Sequence, residues 1–186
     1  MPDVQLRIEL VDTRPLIWRR VIVPQQINLY TLHTVIQATM GWEDIHLYEF
    51  ECNGRYYGEI DDLSDRPVAQ ARNAKLYSML PRLPDGEFRY LYDFGDGWEH
   101  RVLVEKSGLP ETNPCPRWLE GAMACPPEDI GGLIGYEALK EAIAGRSDEY
   151  GQTLLSTVGQ GYDPYTLPAE EIADRLAPIQ RRFRRP

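Results

Sequence analysis

The sequence predicts an α+β fold with a mainly antiparallel sheet, and three observations carry that reading. Apolar and polar residues alternate with period two in several runs, as strands with one buried face require. Two dipeptides suited to tight hairpin turns, Asn53-Gly54 and Asp96-Gly97, separate such runs. Apolar residues recur at helical spacing once after the first two strands and then through the last third of the chain.

Val4, Leu6, Ile8 and Leu10 alternate with Gln5, Arg7 and Glu9, giving a first strand that Thr13-Arg14-Pro15 breaks. A second strand runs from Leu16 to Val23 and ends at Pro24. Its Ile17, Val21 and Val23 share a face with Arg19, and Arg20 on the other face can stack on Trp18. Thr31 is read as the N-cap of a helix reaching Gly41, with Leu32, Val35, Ile36 and Met40 turned to the sheet. His33 falls off that stripe and is expected on the helix surface. Alternation returns from Ile45 to Asn53, with His46, Tyr48, Phe50 and Cys52 on one side, and Arg55 to Ile60 reads as the return strand after Asn53-Gly54.

Asp61 to Asn73 is polar and reads as a surface loop whose acidic run lacks the spacing of a calcium loop. A short strand is expected within Leu76–Leu83, and the proline-rich stretch from Gly108 to Pro127 reads as one long irregular segment. Three helices follow. The first runs from about Gly135 to Ala144. The second is capped by Asp148, with Tyr150, Leu154, Leu155 and Val158 inward. The third begins at Pro168 and carries Ile172, Leu176, Ile179 and Phe183, and Pro178 should bend it or cut it short. Together these elements read as one domain over residues 1–186.

Phe88 to Lys106 holds the strongest hairpin. Phe88, Tyr90, Tyr92 and Phe94 precede Asp96-Gly97, and Trp98, His100, Val102 and Val104 follow it. A two-residue turn at Asp96-Gly97 sets Asp93 opposite His100, with their Cβ atoms about 5 Å apart. A carboxylate beside an imidazole can fix its tautomer, raise its pKa or share a metal with it. His46 from another strand would complete a candidate metal set of His46, Asp93 and His100, suited to a divalent ion. Asp96 and Trp98 at the turn, and Cys125, Glu128 and Asp129 in the later loop, are further candidates for ligand contact. Either Asp93–His100 fastens the hairpin, or the cluster is chemical; no HExxH or paired-cysteine spacing supports the second reading.

At 186 residues, with 42% hydrophobic and 26% charged residues, the chain has the material for a real core. A net charge of -9 argues against nucleic acid as a partner, despite the clusters Arg14/Arg19/Arg20 and Arg181–Arg185. No apolar run spans a membrane, and three cysteines suit a reducing cytoplasm rather than a disulfide framework.

Several motifs resemble the Ri-plasmid Orf-three-like family, a plasmid- and transposon-associated group: Ile17-Trp18-Arg19-Arg20 with Val23-Pro24, Leu32-His33, Met40-Gly41-Trp42 with His46-Leu47 and Phe50, Tyr92–Asp96 with Trp98 and His100, Cys125–Asp129 with Gly131-Gly132 and Gly135-Tyr136, and Tyr162-Asp163-Pro164. The resemblance covers nearly the whole chain and implies a compact α/β roll-like domain without an established activity. Family members often carry cysteines where Trp118 and Ile130 stand here, so a metal or redox site built on those cysteines would be incomplete. With no complete catalytic motif and many aromatics, the expectation is a cytoplasmic module binding a protein or small ligand, with no cofactor beyond a possible divalent metal. The alternative is a metal-assisted hydrolase using His46, Asp93, Asp96 and His100.

Overall fold

The computed structural model describes residues 2–59, 66–111, 113–146, 148–159 and 161–183. Among these, eight strands form one sheet: β1 (Asp3–Leu10), β2 (Ile17–Pro24), β3 (Tyr48–Cys52), β4 (Arg55–Gly58), β5 (Val68–Gln70), β6 (Glu87–Tyr92), β7 (Trp98–Leu109) and β8 (Arg117–Ala122). Five helices accompany them: α1 (Leu29–Met40), α2 (Leu76–Met79), α3 (Gly132–Ile143), α4 (Glu149–Val158) and α5 (Ala169–Arg182). The strand order is β5-β4-β3-β6-β7-β1-β2-β8, antiparallel throughout except for β4–β5. The fold is thus α+β with a mostly antiparallel sheet, and none of the described helices is long and apolar enough to cross a membrane.

Alternation gives the central strands two unlike faces. Val4, Leu6, Ile8 and Leu10 are fully buried on one face of β1, each contributing about 1.5–3 kcal/mol by leaving water. The opposite face carries a lattice of ion pairs: Arg7–Glu9, Arg101–Glu9, Arg101–Glu87, Arg89–Glu99, and Arg20 with both Glu105 and Glu120. Trp18 lies within this lattice, with the guanidinium groups of Arg7 and Arg20 at 4.2 and 5.1 Å from its ring.

Helix α1 starts earlier than Thr31: Asn28 is its cap, and its side-chain oxygen accepts from the Thr31 amide at 2.8 Å. Gly41 ends it in the left-handed region at φ 99°, as the stop signal predicts. His33 is not on the surface. It is fully buried, stacked on Tyr48 at 3.6 Å, and bonded through its two nitrogens to Tyr90 Oη (2.7 Å) and Asp44 Oδ1 (2.6 Å). The buried face of α1 is wider than its apolar stripe, because Gln37 and Thr39 are buried beside His33.

Three loop or strand expectations change. The stretch read as surface loop contains β5, which pairs in parallel with β4; Ile60 and the acidic run Asp61, Asp62, Ser64 and Asp65 lie outside the described residues. Leu76–Leu83 forms α2 and a 3₁₀ turn rather than a strand, because Leu76 and Met79, three residues apart, reach the core from one face of a single helical turn. In the proline-rich segment, β7 continues to Leu109 and β8 adds an edge strand against β2. The prolines lie outside both strands instead of interrupting them.

The helical C-terminal third is present, and α4 is capped by Asp148, whose Oδ1 accepts from the Gly151 amide at 3.0 Å. Tyr150, expected inward, is exposed. Helix α5 does not end at Pro178 but runs on to Arg182. Proline removes one backbone bond, and buried Leu176 and Ile179 on either side hold the helix across that gap. Arg184 and Arg185 lie outside the described residues.

Candidate functional site

The β6–β7 hairpin differs in register from a two-residue turn. Tyr92 pairs with Trp98 and Tyr90 with His100, leaving a five-residue connection from Asp93 to Gly97. The Gly97 amide donates to the Asp93 carbonyl at 2.7 Å, closing an α-turn, while Asp93 Oδ1 accepts from the Gly95 amide at 2.9 Å. Asp93 takes φ 53°, a conformation that aspartate tolerates better than most residues. Its own amide donates to Leu47 at 2.9 Å, tying the turn to the segment that carries His46.

Asp93 therefore does not face His100. His100 is fully buried, its Nδ1 lies 3.2 Å from the Tyr90 carbonyl, and its ring meets Trp42 edge-on at 5.4 Å. Desolvation lowers its pKa to about 4, so it is neutral at pH 7. Trp98 beside it is also buried, and its indole N–H makes no hydrogen bond among the described residues.

The structure instead brings together His46, Asp93 and Asp129. His46 Nε2 lies 3.0 Å from Asp129 Oδ1 and 3.7 Å from Asp93 Oδ2. One ligand atom from each residue falls within 4.8 Å of the others. Of the expected metal set His46, Asp93 and His100, the first two are adjacent and the third is not. Asp129 takes its place from the loop that precedes α3.

Asp96 and Glu128 fasten that loop. Asp96 Oδ2 accepts from the Gly131 amide at 3.1 Å, and a Cβ on Gly132 would lie 2.5 Å from the Asp96 carbonyl oxygen. Only glycine lets the two loops approach this closely. Glu128 Oε1 accepts from Tyr92 Oη at 2.9 Å and from the Glu43 amide at 2.8 Å, whereas its Oε2 is buried and accepts nothing among the described residues. Burial, and then the bond to Glu128, push the Tyr92 hydroxyl well above its ordinary pKa.

Cys125 lies on the other side of the same loop, where a cleft of about 520 Å³ opens between the end of α1 and the segment before α5. Trp42, Cys125, Glu128, Tyr162, Asp163 and Glu171 line it. Trp42 Nε1 donates to the Pro126 carbonyl and Tyr162 Oη to the Cys125 carbonyl, each at 2.9 Å. Burial drives the Cys125 thiol far above its ordinary pKa, which keeps it protonated. No local pattern marks this cleft, because its walls come from three segments distant in sequence.

The profile of the plasmid pRiA4b ORF-3-like protein family matches residues 2–171. An uncharacterized protein, y4hQ of Sinorhizobium fredii (strain NBRC 101917 / NGR234), is 40% identical over 162 residues, covering 86% of this chain and 83% of that protein. The crystal structure of a protein of unknown function, MM3350 from Methanosarcina mazei Go1, superposes with a TM-score of 0.80 at 33% identity, covering 91% of this chain and 96% of that one. The motifs around Trp18, Trp42 and the 92–100 hairpin therefore sit in a fold shared across this group, and the chain belongs to the plasmid pRiA4b ORF-3-like protein family.

Proposed function

We propose that the chain is a single-domain, roll-like binding module of the cytoplasm, without catalysis, that accepts an organic cation in the Trp42–Tyr162 cleft. The observation that carries this is the lining. Glu128, Asp163 and Glu171 contribute carboxylates beside two aromatic rings, and among the described residues no lysine or arginine lines the cleft, Arg175 reaching only its rim through the Trp42 carbonyl and Glu171. Asp163 already caps its own turn through Thr166 and Tyr165, and Glu171 pairs with Arg175, but Glu128 Oε2 takes no donor among the described residues. An ammonium or guanidinium group in the cleft would lie in the field of these carboxylates and face the aromatic rings, and a turn of the Glu128 side chain would bring its buried Oε2 to the ligand. The cleft volume suits a ligand of small-molecule size or one basic side chain of a protein partner.

Two groups that could have served catalysis are quiet. His100 is sealed and neutral, and the Cys125 thiol is held protonated. The three cysteines are buried, which suits a reducing compartment. Nucleic acid is disfavoured as a partner by the net charge of -9 and by Arg20 being held between Glu105 and Glu120.

An amide NMR titration with N-acetylarginine amide, tri-arginine and the neutral N-acetylnorleucine amide tests the reading. Saturable shifts around Tyr162–Thr166 with the cations alone, lost in Glu128→Gln, are expected. Preference for tri-arginine would indicate a protein partner, and equal response to the monomer a small ligand. Equal shifts with the neutral compound, or no shifts at all, would overturn it. So would turnover on a hydrolase panel that Glu128→Gln removes without unfolding the protein.

A further inference from the structure

We infer that His46, Asp93 and Asp129 form a binding site for a first-row divalent cation such as Zn²⁺ or Mn²⁺, separate from the cleft and independent of what the cleft binds. The donor set is one imidazole nitrogen and two carboxylates, a mixture that borderline divalent ions accept. Donors about 2.0 Å from a tetrahedral ion stand about 3.3 Å apart. The two distances from His46 Nε2, 3.0 Å to Asp129 and 3.7 Å to Asp93, bracket that separation.

A second observation points the same way. The Asp93 side chain is only 9% exposed; its Oδ1 holds the turn through the Gly95 amide, and its Oδ2 lies 3.7 Å from His46 Nε2. His46 Nε2 is itself closed to solvent and makes no hydrogen bond, although Asp129 Oδ1 is 3.0 Å away. The oxygen is therefore close to the nitrogen but not aligned with an N–H. Buried polar atoms are ordinarily paired, so the unpaired His46 Nε2, with a carboxylate oxygen at 3.0 Å and another at 3.7 Å, points to a partner shared by all three groups. A cation would accept the nitrogen lone pair and both carboxylate oxygens together.

The electrostatics favour a positive occupant. Among the described residues no lysine or arginine pairs with Asp93 or Asp129, and Asp96 and Glu128 add negative charge on the same two loops. Asp129 is 68% exposed, so it can swing the last few tenths of an ångström and leaves coordination positions open to water. The backbone supports the set from three places. The Leu47 carbonyl holds the Asp93 amide, Asp96 holds Gly131, and Gly132 permits the close approach of both loops. A bound ion would join the β6–β7 turn, the segment before β3 and the loop before α3.

The test is metal binding by full-length, tag-free protein stripped with chelator and dialysed, then titrated with Zn²⁺ and, separately, Mn²⁺ by calorimetry, with elemental analysis of the reloaded protein. One equivalent of at least one ion is expected, with affinity falling at least about tenfold in both His46→Gln and Asp129→Asn. The apo melting temperature of Asp129→Asn should stay unchanged, since its side chain is exposed. Absence of saturable binding for both ions would overturn the inference and make the cluster a structural contact between the imidazole and two carboxylates. Stoichiometric binding that survives both substitutions would overturn it equally, by locating the ion elsewhere.

Discussion

Tyr90 stands directly opposite His100 across the β6–β7 pair, and its hydroxyl is shared by His33 and Gln37 of α1. The Gln37 amide donates to it at 3.0 Å and His33 Nδ1 lies 2.7 Å away. One buried phenol thus joins the helix to the middle of the sheet, and the same strand position places His100 in the core.

Removing that hydroxyl tests the joint. Tyr90→Phe keeps the ring but strands polar atoms of Gln37 and His33 in a dry interior, which costs about 1–3 kcal/mol. Urea unfolding should show a lower midpoint with an unchanged slope. An unaltered midpoint would mean that water or rearranged side chains replace the hydroxyl.

The hairpin shows what was legible in the sequence and what was not. Alternation identified both strands and their aromatic faces, but Asp96-Gly97 suggested a turn that the faces themselves forbid. A two-residue turn there pairs Tyr92 with Arg101 and Tyr90 with Leu103, setting the aromatic face of β6 against the polar face of β7. The observed pairs, Tyr92–Trp98 and Tyr90–His100, keep both aromatic faces together. Burial of those rings outweighs one favourable turn dipeptide, so the parity of the pattern carried the better signal. Asp129 is a candidate on sequence grounds, yet its approach to His46 depends on how the loop before α3 docks, and no local pattern encodes that. The burial of His33 escapes the sequence for a related reason: the stripe on α1 shows which residues are apolar, not how much of the helix its neighbours cover.

His100 gives a pH prediction. Its pKa falls from 6.5 in the unfolded chain to about 4 in the folded protein because burial penalises the charged ring. The unfolded state therefore binds the extra proton, so stability is lost as pH falls below 6.5 and this loss levels off below about 4. Over the whole window it amounts to about 3 kcal/mol. In NMR, the His100 ring should stay neutral from pH 7.5 down to about 5. A titration midpoint near 6.5 would contradict the sealed environment.

Gly132 and Gly54 both have positive φ, 65° and 74°, but differ in surroundings. A Cβ at Gly132 meets the Asp96 carbonyl at 2.5 Å, whereas nothing lies within 4 Å at Gly54. Gly54→Ala should cost only the left-handed backbone penalty, about 1–2 kcal/mol. Gly132→Ala should cost clearly more and broaden or shift the amide signals of residues 93–97. Equal losses of stability in the two variants would show that the loops separate freely.

Arg19 supports the last prediction, because its charge is buried without a carboxylate partner among the described residues. Its side chain is fully buried, and desolvation lowers its pKa. Its Nε donates to the Thr39 carbonyl at 2.7 Å, and Nη1 to the carbonyls of Trp18 and Ala122 at 2.9 and 2.8 Å. The guanidinium therefore ties the end of α1 to β2 and pins the edge strand β8. Lysine keeps the charge but cannot reach three carbonyls from one fixed plane. Arg19→Lys should lose at least about 2 kcal/mol, since bonds from a charged donor are lost and carbonyls are left unpaired. Hydrogen exchange should accelerate first at residues 117–122 and only later in β1, because β8 is held on one side alone. Uniform acceleration across the sheet would show that Arg19 stabilises the core as a whole and does not pin its edge.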